Sequence, residues 1–217
     1  MSEAMLEILK NGVWETLYMT IVSTIFAYLL GIPIGVILYI TDKKGICQNR
    51  ILNFVFGIIV NMVRSIPFLI LLVAILPFTR MIVGTTIGSD ATIVPLVVAA
   101  TPFVARMVES SLKEIDLGVI EAAKAMGSST RQIIFKVLLP EAKPSLFVGC
   151  TISLATILSY SAMAGFVGGG GLGAIAINYG YYRYQGDIMW ITVALLVVIV
   201  QLFQEIGLHF ARRVDKR

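Results

Sequence analysis

The sequence predicts an all-α fold, a bundle of helices that cross a membrane, and three observations support it. Of the 217 residues, 58% are apolar and only 14% are charged, against about half and about one-quarter in soluble domains. The apolar residues fall in blocks close to the roughly 18 to 25 residues that span a bilayer as a helix. Lys and Arg concentrate in alternate segments between these blocks. We therefore expect a polytopic membrane protein with one transmembrane domain over residues 1–217.

Five apolar blocks divide the chain, and each is predicted to form one span: residues 14–39, 51–76, 93–108, 145–163 and 188–210. The first block carries small or hydroxyl side chains at helical spacing, a pattern typical of a face that packs closely on another helix. These residues are Thr16, Thr20, Thr24, Ala27, Gly31 and Gly35. The third block is short and contains two prolines, so its ends are the hardest to place.

The distribution of basic residues predicts the orientation of the spans. Segments 41–50, 109–144 and 211–217 hold twelve Lys and Arg residues, whereas segments 1–12, 78–92 and 166–187 hold three. Basic residues are enriched in cytoplasmic loops of membrane proteins. We therefore expect the N-terminus outside and the C-terminus in the cytoplasm.

Two arginines lie within the apolar blocks. Arg64 is near the middle of its block, where a charge costs at least ~2.5 to 3.5 kcal/mol unless it is paired or hydrated. It is predicted to face protein or water, either in a structural pair or in a transport path. Arg106 lies three residues before Glu109 on one helix, a spacing that predicts an ion pair.

Several functions are excluded or disfavoured by what the sequence lacks. There is no G-x-x-x-x-G-K-[ST] motif, so the chain has no ATPase site of its own. Gly168, Gly170 and Gly173 match a dinucleotide fingerprint, but membrane blocks flank them, so they predict a tight turn instead. One histidine and two distant cysteines indicate no metal site. The basic loops lack the aromatic interleaving of a nucleic-acid surface. We expect no enzyme activity and no cofactor in this chain.

The cytoplasmic segment 109–144 is predicted to fold as two short helices. Residues 118–126 form the first, and Gly127 ends it. Ser129 and Gln132 form a capping box that opens the second, which Leu139-Pro140 ends. The second helix presents an apolar face made by Ile133, Ile134, Val137 and Leu138.

The spacing of residues in this segment matches a known motif. Glu121-Ala122-Ala123, three residues, Gly127, nine residues, Val137, one residue and Leu139-Pro140 resembles the E-A-A-x3-G-x9-I-x-L-P coupling loop of ABC importer permeases, with Val for Ile. The resemblance implies a type I-like permease fold. It also implies that Glu121, Ala122, Ala123 and Gly127 dock on a separate cytoplasmic ATPase, and that Leu139 and Pro140 return the chain to the membrane.

The resemblance extends along most of the chain and is strongest to methionine-uptake permeases. It is carried by residues 12–17, 64–68, 77–80, 104–109 and 160–163, the last followed by a glycine-rich turn. It implies a homodimer in the bacterial cytoplasmic (inner) membrane. Two ABC ATPase subunits, which hold ATP and magnesium, and an extracytoplasmic substrate-binding protein are its implied partners. Another amino acid is the alternative substrate, and an ATP-independent carrier or channel the alternative function.

The end of the fourth block carries residues that we expect to line the translocation path. Ser159, Tyr160, Ser161 and Met163 lie beside the glycine-rich turn. Met163 has a flexible apolar side chain that could close the path against water. Ordinary helix packing is the alternative for these four residues.

Overall fold

A computed structural model describes residues 3–214, and within that range its regular secondary structure is entirely helical. The all-α prediction is therefore confirmed for the described residues. The first six helices are α1 (Glu3–Thr41), α2 (Arg50–Ser65), α3 (Phe68–Ala74), α4 (Leu76–Val83), α5 (Ser89–Lys113) and α6 (Leu117–Ala125). Helix α7 consists of three consecutive segments, which are Thr130–Gln132, the π-helical Ile133–Leu138 and Leu139–Glu141. The last three are α8 (Lys143–Ala164), α9 (Gly171–Ile175, continued by the π-helical Ala176–Tyr181) and α10 (Gly186–Val214).

Four helical segments of the described chain are long and apolar enough to cross a membrane: Glu3–Thr41, Ser89–Lys113, Lys143–Tyr181 and Gly186–Arg213. The pair α2 and α3 makes a fifth if a bent pair counts as one span. The four long helices all extend beyond the apolar blocks that predicted them, and α1 and α5 do so by the most residues. Helix α1 begins at Glu3 rather than residue 14, because helix-forming Glu, Ala and Leu residues precede the apolar stretch. Helix α5 runs over 25 residues, from Ser89 to Lys113, whereas the predicted span covered only 93–108.

The block 51–76, predicted as one span, does not form one straight helix. Helices α2 and α3 meet at an angle of 102°. Pro67 lacks a backbone N–H and keeps the preceding residue out of the helical region, and Ile66 accordingly has extended backbone, with φ −84° and ψ 125°. The chain therefore turns sharply after Ser65, within an apolar stretch.

The predicted small-residue stripe on α1 is its packing face. All six of its residues are buried, and α5 lies against the glycine end of the stripe. A Cβ atom on Gly31 would lie 2.6 Å from Val104 Cγ1, and one on Gly35 would lie 2.6 Å from the Ala105 carbonyl oxygen. The two backbones approach this closely only because glycine has no side chain.

The basic segments lie at one end of the helix bundle. Asp42, just after α1, pairs with Lys113 at the end of α5, and the end of α10 joins them at a cavity lined by Glu114, Glu141 and Arg212. At the other end, Tyr18 donates to Asp90 over 3.0 Å, and the Gly88 N–H donates to the Gly168 carbonyl over 2.9 Å. Segments 41–50 and 109–144 therefore share one end of the molecule.

We expect Gly35→Ala to destabilise the chain by about 1 to 3 kcal/mol, the usual cost of overpacking a close contact. The added methyl group would meet a backbone oxygen, which cannot move without shifting α5. Gly57→Ala is the matched control, because its Cβ would meet only Arg106 Nη2 at 3.8 Å. Thermal unfolding in detergent measures both. Equal melting temperatures for Gly35→Ala and the unsubstituted chain would contradict the packing described.

Candidate functional site

Helix α6 is a short helix with both ends closed by local hydrogen bonds. The Asp116 side chain caps its start by accepting from the Gly118 N–H over 2.7 Å. At its end, Gly127 has φ +77°. The Ser128 N–H donates to Ala123 O over 3.1 Å, and the Gly127 N–H to Lys124 O over 2.9 Å. This pair of bonds is a Schellman motif, which explains why a glycine stands at position 127.

Helix α7 begins as predicted but ends later. The Ser129 N–H donates to Gln132 Oε1 over 2.8 Å, and the Gln132 N–H donates to Ser129 Oγ over 3.4 Å, which completes the capping box. The prediction that Leu139-Pro140 ends this helix is wrong, since it continues to Glu141. Pro140 cannot donate an i to i−4 bond. The wider π-helical turn before it, in which the Leu139 N–H donates to Ile134 O, carries the helix past the proline.

Helices α6 and α7 form an elbow whose buried residues belong to the main apolar core of the bundle. Ile120, Ala123, Ile133 and Leu138 are buried in one cluster with residues of α5. Ile134 and Val137 pack at its edge, so the apolar face of α7 lies against the chain itself. We refer to residues 117–141 as the elbow.

The structure separates the residues of the E-A-A motif. Glu121, Ala122 and Gly127 are exposed, whereas Ala123 is only 3% exposed and lies in the elbow core. Of the two alanines, only Ala122 lies on the surface. Leu139 is half-buried and Pro140 exposed. A partner could therefore reach Glu121, Ala122 and Gly127 directly, while Ala123 fixes how α6 sits on the chain.

The segment between α1 and α2 supports the elbow from the side. Ile46 packs at the edge of the same apolar cluster, and Cys47 Sγ lies 3.5 Å from Thr130 Oγ1. Asp42 Oδ2 is 3.1 Å from Lys113 Nζ. This contact with Lys113, together with the backbone N–H of Lys43, holds the pKa of the Asp42 carboxyl below its ordinary value.

The four residues predicted to line a path do not share one surface. Ser159 and Met163 lie one helical turn apart on α8 and line a groove of about 510 Å³ with Phe166. Tyr160 instead stacks on Phe68, with ring centroids 4.5 Å apart. Ser161 is buried, and its hydroxyl donates to the Leu158 carbonyl over 2.7 Å. The groove side of α8 thus presents only Ser159 and Met163 of the four.

The glycine-rich turn binds the start of α9 to α1. The Gly171 N–H donates to Glu15 Oε2 over 2.6 Å, and the Leu172 N–H donates to Thr16 Oγ1 over 2.8 Å. Gly168 and Gly171 have φ +84° and +80°, a region that favours glycine. These contacts agree with the prediction of a tight turn packed on a neighbour.

Arg64 lies in the last turn of α2, beside the bend to α3. Its side chain is exposed on the isolated chain, and within residues 3–214 it makes no ion pair or hydrogen bond. The role of Arg64, in a structural pair or in the transport path, therefore stays a prediction.

The family of binding-protein-dependent transport system inner membrane components has a model that matches residues 31–216. This chain belongs to that family. Its relatives include the probable D-methionine transport system permease protein MetI of Vibrio cholerae, 53% identical over 211 residues that cover 97% of this chain and 94% of that protein. The D-methionine transport system permease protein MetI of Escherichia coli K12 is 56% identical over 165 residues, 76% of each chain. The predicted resemblance is confirmed.

Solved structures identify the same fold. A chain from the inward-facing MetNI methionine ABC transporter is 52% identical to this inner membrane component, with a TM-score of 0.98 over the full length of both. A chain of an amino acid ABC transporter is 20% identical, with a TM-score of 0.79 over 97% of this chain and 95% of that one. The second likeness shows the fold alone.

An exposed apolar surface on the elbow of this inner membrane component was not predicted from the sequence. Leu117, Val119, Met126 and Phe135 are 51%, 42%, 79% and 61% exposed. The sequence pattern could have predicted them, because these residues fall between the buried positions of α6 and α7. The elbow lies within the basic segment 109–144, where exposed apolar side chains are typical of a protein interface.

We expect Gly127→Ala to loosen the elbow, because a side chain in the left-handed region costs roughly 1 to 2 kcal/mol. Gly127→Asn is the matched variant, since asparagine tolerates this conformation better. Hydrogen exchange of the α6 amides, followed by mass spectrometry, should be fastest in Gly127→Ala and intermediate in Gly127→Asn. Identical exchange in all three proteins would contradict the role given to Gly127.

Proposed function

We propose that this chain is the membrane-spanning permease subunit of an ATP-binding-cassette importer for methionine. The observation that carries the proposal is the elbow, a small folded unit that exposes Glu121 and Ala122 next to an apolar patch on the basic end of the bundle. The names of the relatives, which are D-methionine transport system permeases, support methionine as the substrate.

The elbow suits the task of receiving force from another protein. Its core residues fix α6 on the end of α5, so a push on the surface of α6 moves α5 instead of bending a loop. Glu121 offers a charge, and Ala122 a small side chain that lets a partner approach the backbone. The partner is an ABC ATPase, which would hold ATP and magnesium, because this sequence has no phosphate-binding lysine motif.

The proposed arrangement in the membrane has five spans, with α2 and α3 together forming the second. The N-terminus is outside, and the elbow and C-terminus are cytoplasmic, as the basic segments indicate. The permease acts as a homodimer in the bacterial inner membrane with two ATPase subunits and an extracytoplasmic binding protein. The ATPase partner is supported by the 52% identical chain, which comes from a MetNI methionine ABC transporter.

The groove beside Ser159 and Met163 is the proposed side of the translocation path. Met163 is 44% exposed there, and its flexible side chain closes the path when the two subunits meet. Tyr160 holds this end of α8 in place through Phe68, whereas the Ser161 hydroxyl bonds within α8 to the Leu158 carbonyl. Arg64 faces water or the partner copy, because lipid would penalise its charge.

We expect Glu121→Lys to weaken binding of the ATPase roughly tenfold or more, as reversal of a charge at the centre of an interface does. Co-purification from membranes, and methionine uptake by proteoliposomes with ATPase and binding protein, measure the effect. Glu7→Lys is the matched control, because it makes the same charge change on an exposed residue at the opposite end of the molecule.

The same proteoliposomes test the substrate. Methionine on the binding protein should stimulate ATP hydrolysis and uptake more than any other amino acid in a panel. A stronger response to a different amino acid would contradict methionine, and normal uptake by Glu121→Lys would contradict the coupling role of the elbow.

We expect Met163→Gly to raise the ion leak of proteoliposomes containing the complex, because it removes the side chain that closes the path. Met81→Gly is the control, since Met81 is 85% exposed on α4 and does not line the groove. Dye release and substrate uptake per ATP report the leak and the coupling. If both stay at the unsubstituted level, Met163 is a packing residue only.

A further inference from the structure

Four charged side chains form a continuous ion network just above the elbow. Glu109 accepts from Arg106 Nη1 over 2.6 Å and from Lys113 Nζ over 2.7 Å, and the predicted Arg106–Glu109 pair is thereby confirmed. Lys113 also lies 3.1 Å from Asp42 Oδ2. The Glu109 side chain is only 7% exposed. We refer to Asp42, Arg106, Glu109 and Lys113 as the Glu109 network.

The network extends to a third helix through Arg106. Its second guanidinium nitrogen donates to Asn61 Oδ1 on α2 over 2.9 Å, and to the Gly57 carbonyl over 3.5 Å. The planar guanidinium can hold Glu109 and Asn61 at once because its N–H groups point in fixed directions. The end of α1, the end of α5 and the middle of α2 are thus joined by polar contacts.

The network lies directly between the elbow and the bend in the chain. Lys113 is the last residue of α5, and α6 begins at Leu117. On the other side, Asn61 is one turn before Ser65, where α2 ends. Beyond the bend, Phe68 stacks on Tyr160 of α8. A displacement of α6 can therefore reach the groove end of α8 through α5, Arg106, α2 and Phe68.

A purely apolar contact would transmit a displacement of α6 less well than this network does. Apolar side chains slide past each other at little cost, whereas a buried carboxylate with two cations has few alternative arrangements. Arg106, Glu109 and Lys113 all lie on α5, so the two short bonds to Glu109 hold both cations in place on that helix. The Lys113–Asp42 pair thus ties α5 to the end of α1, and the Arg106–Asn61 bond ties α5 to α2.

We infer that the Glu109 network is the link that transmits elbow movement to the broken helix pair α2–α3, with Arg106 and Asn61 as positioning residues for transport. This inference rests on the proposed function, since it needs an ATPase acting on the elbow. It assigns the coupling between ATP hydrolysis and opening of the path to named side chains outside both the docking surface and the groove.

Asn61→Ala tests the link, because it removes the shorter of the two Arg106 contacts to α2 and leaves Glu109 paired with both cations. In proteoliposomes with the ATPase and binding protein, ATP hydrolysis should stay within about twofold of the unsubstituted complex. Substrate uptake per ATP should fall roughly two- to thirtyfold, the range found for residues that carry coupling. Met62→Ala is the matched control, since the neighbouring Met62 is 65% exposed and lies outside the network.

A spectroscopic readout separates transmission from simple stability. A fluorophore on Ile70→Cys, in a Cys47→Ser background, reports movement of α3, where Ile70 is 62% exposed. Its ATP-dependent change should be lost in Asn61→Ala and kept in Met62→Ala. Arg106→Lys gives a second, independent variant, because it keeps the charge beside Glu109 but lacks the planar fork that reaches Asn61. It should reproduce the effect of Asn61→Ala.

Two results would overturn the inference. One is unchanged uptake per ATP and an unchanged fluorescence response in Asn61→Ala or Arg106→Lys. The other is a proportional fall of hydrolysis and uptake in an intact complex, which is what a merely structural role produces. Failure of the proposed function is distinct, because the unsubstituted complex would then show no ATP-dependent uptake, and both proposals would fall.

Discussion

The close crossing of α1 and α5 fixes the positions of the other elements. Gly31 and Gly35 have no side chains, so the backbone of α5 lies against α1 and brings Lys113 beside Asp42. At the opposite end, the same face of α1 receives the glycine turn through Thr16. Because helices in lipid gain no hydrophobic energy by associating, close packing of this kind and polar contacts must hold them together.

The elbow is stabilised differently from the long helices on which it packs. Its buried residues join the main apolar core of the bundle, local hydrogen bonds cap both of its helices, and four of its apolar side chains are exposed. The proposed coupling needs a rigid elbow, because a flexible loop would absorb the movement of the ATPase. The Schellman motif at Gly127 and the buried Ala123 provide that rigidity with short side chains.

The bend between α2 and α3 connects the two halves of the proposed mechanism. A continuous helix would place Phe68 further along the axis of α2, away from α8. The 102° turn at Pro67 instead brings Phe68 onto Tyr160, while Arg106 holds α2 on its other side. Broken helices at membrane depth are tolerated where protein or water satisfies the freed backbone groups, so this position is consistent with a path between subunits.

The sequence by itself determined the all-helical class, the stripe on α1, the helix–turn–helix of the elbow and its motif, because each depends on local spacing or on the conformational limits of glycine and serine caps. It did not determine the bend at Pro67, since proline allows either a kink or a break and the neighbours decide which. Nor did it separate Ala122 from Ala123, or Ser159 and Met163 from Tyr160 and Ser161. Adjacent residues of a helix point in different directions, and only the packing of α5, α7 and α3 around them decides which face is buried.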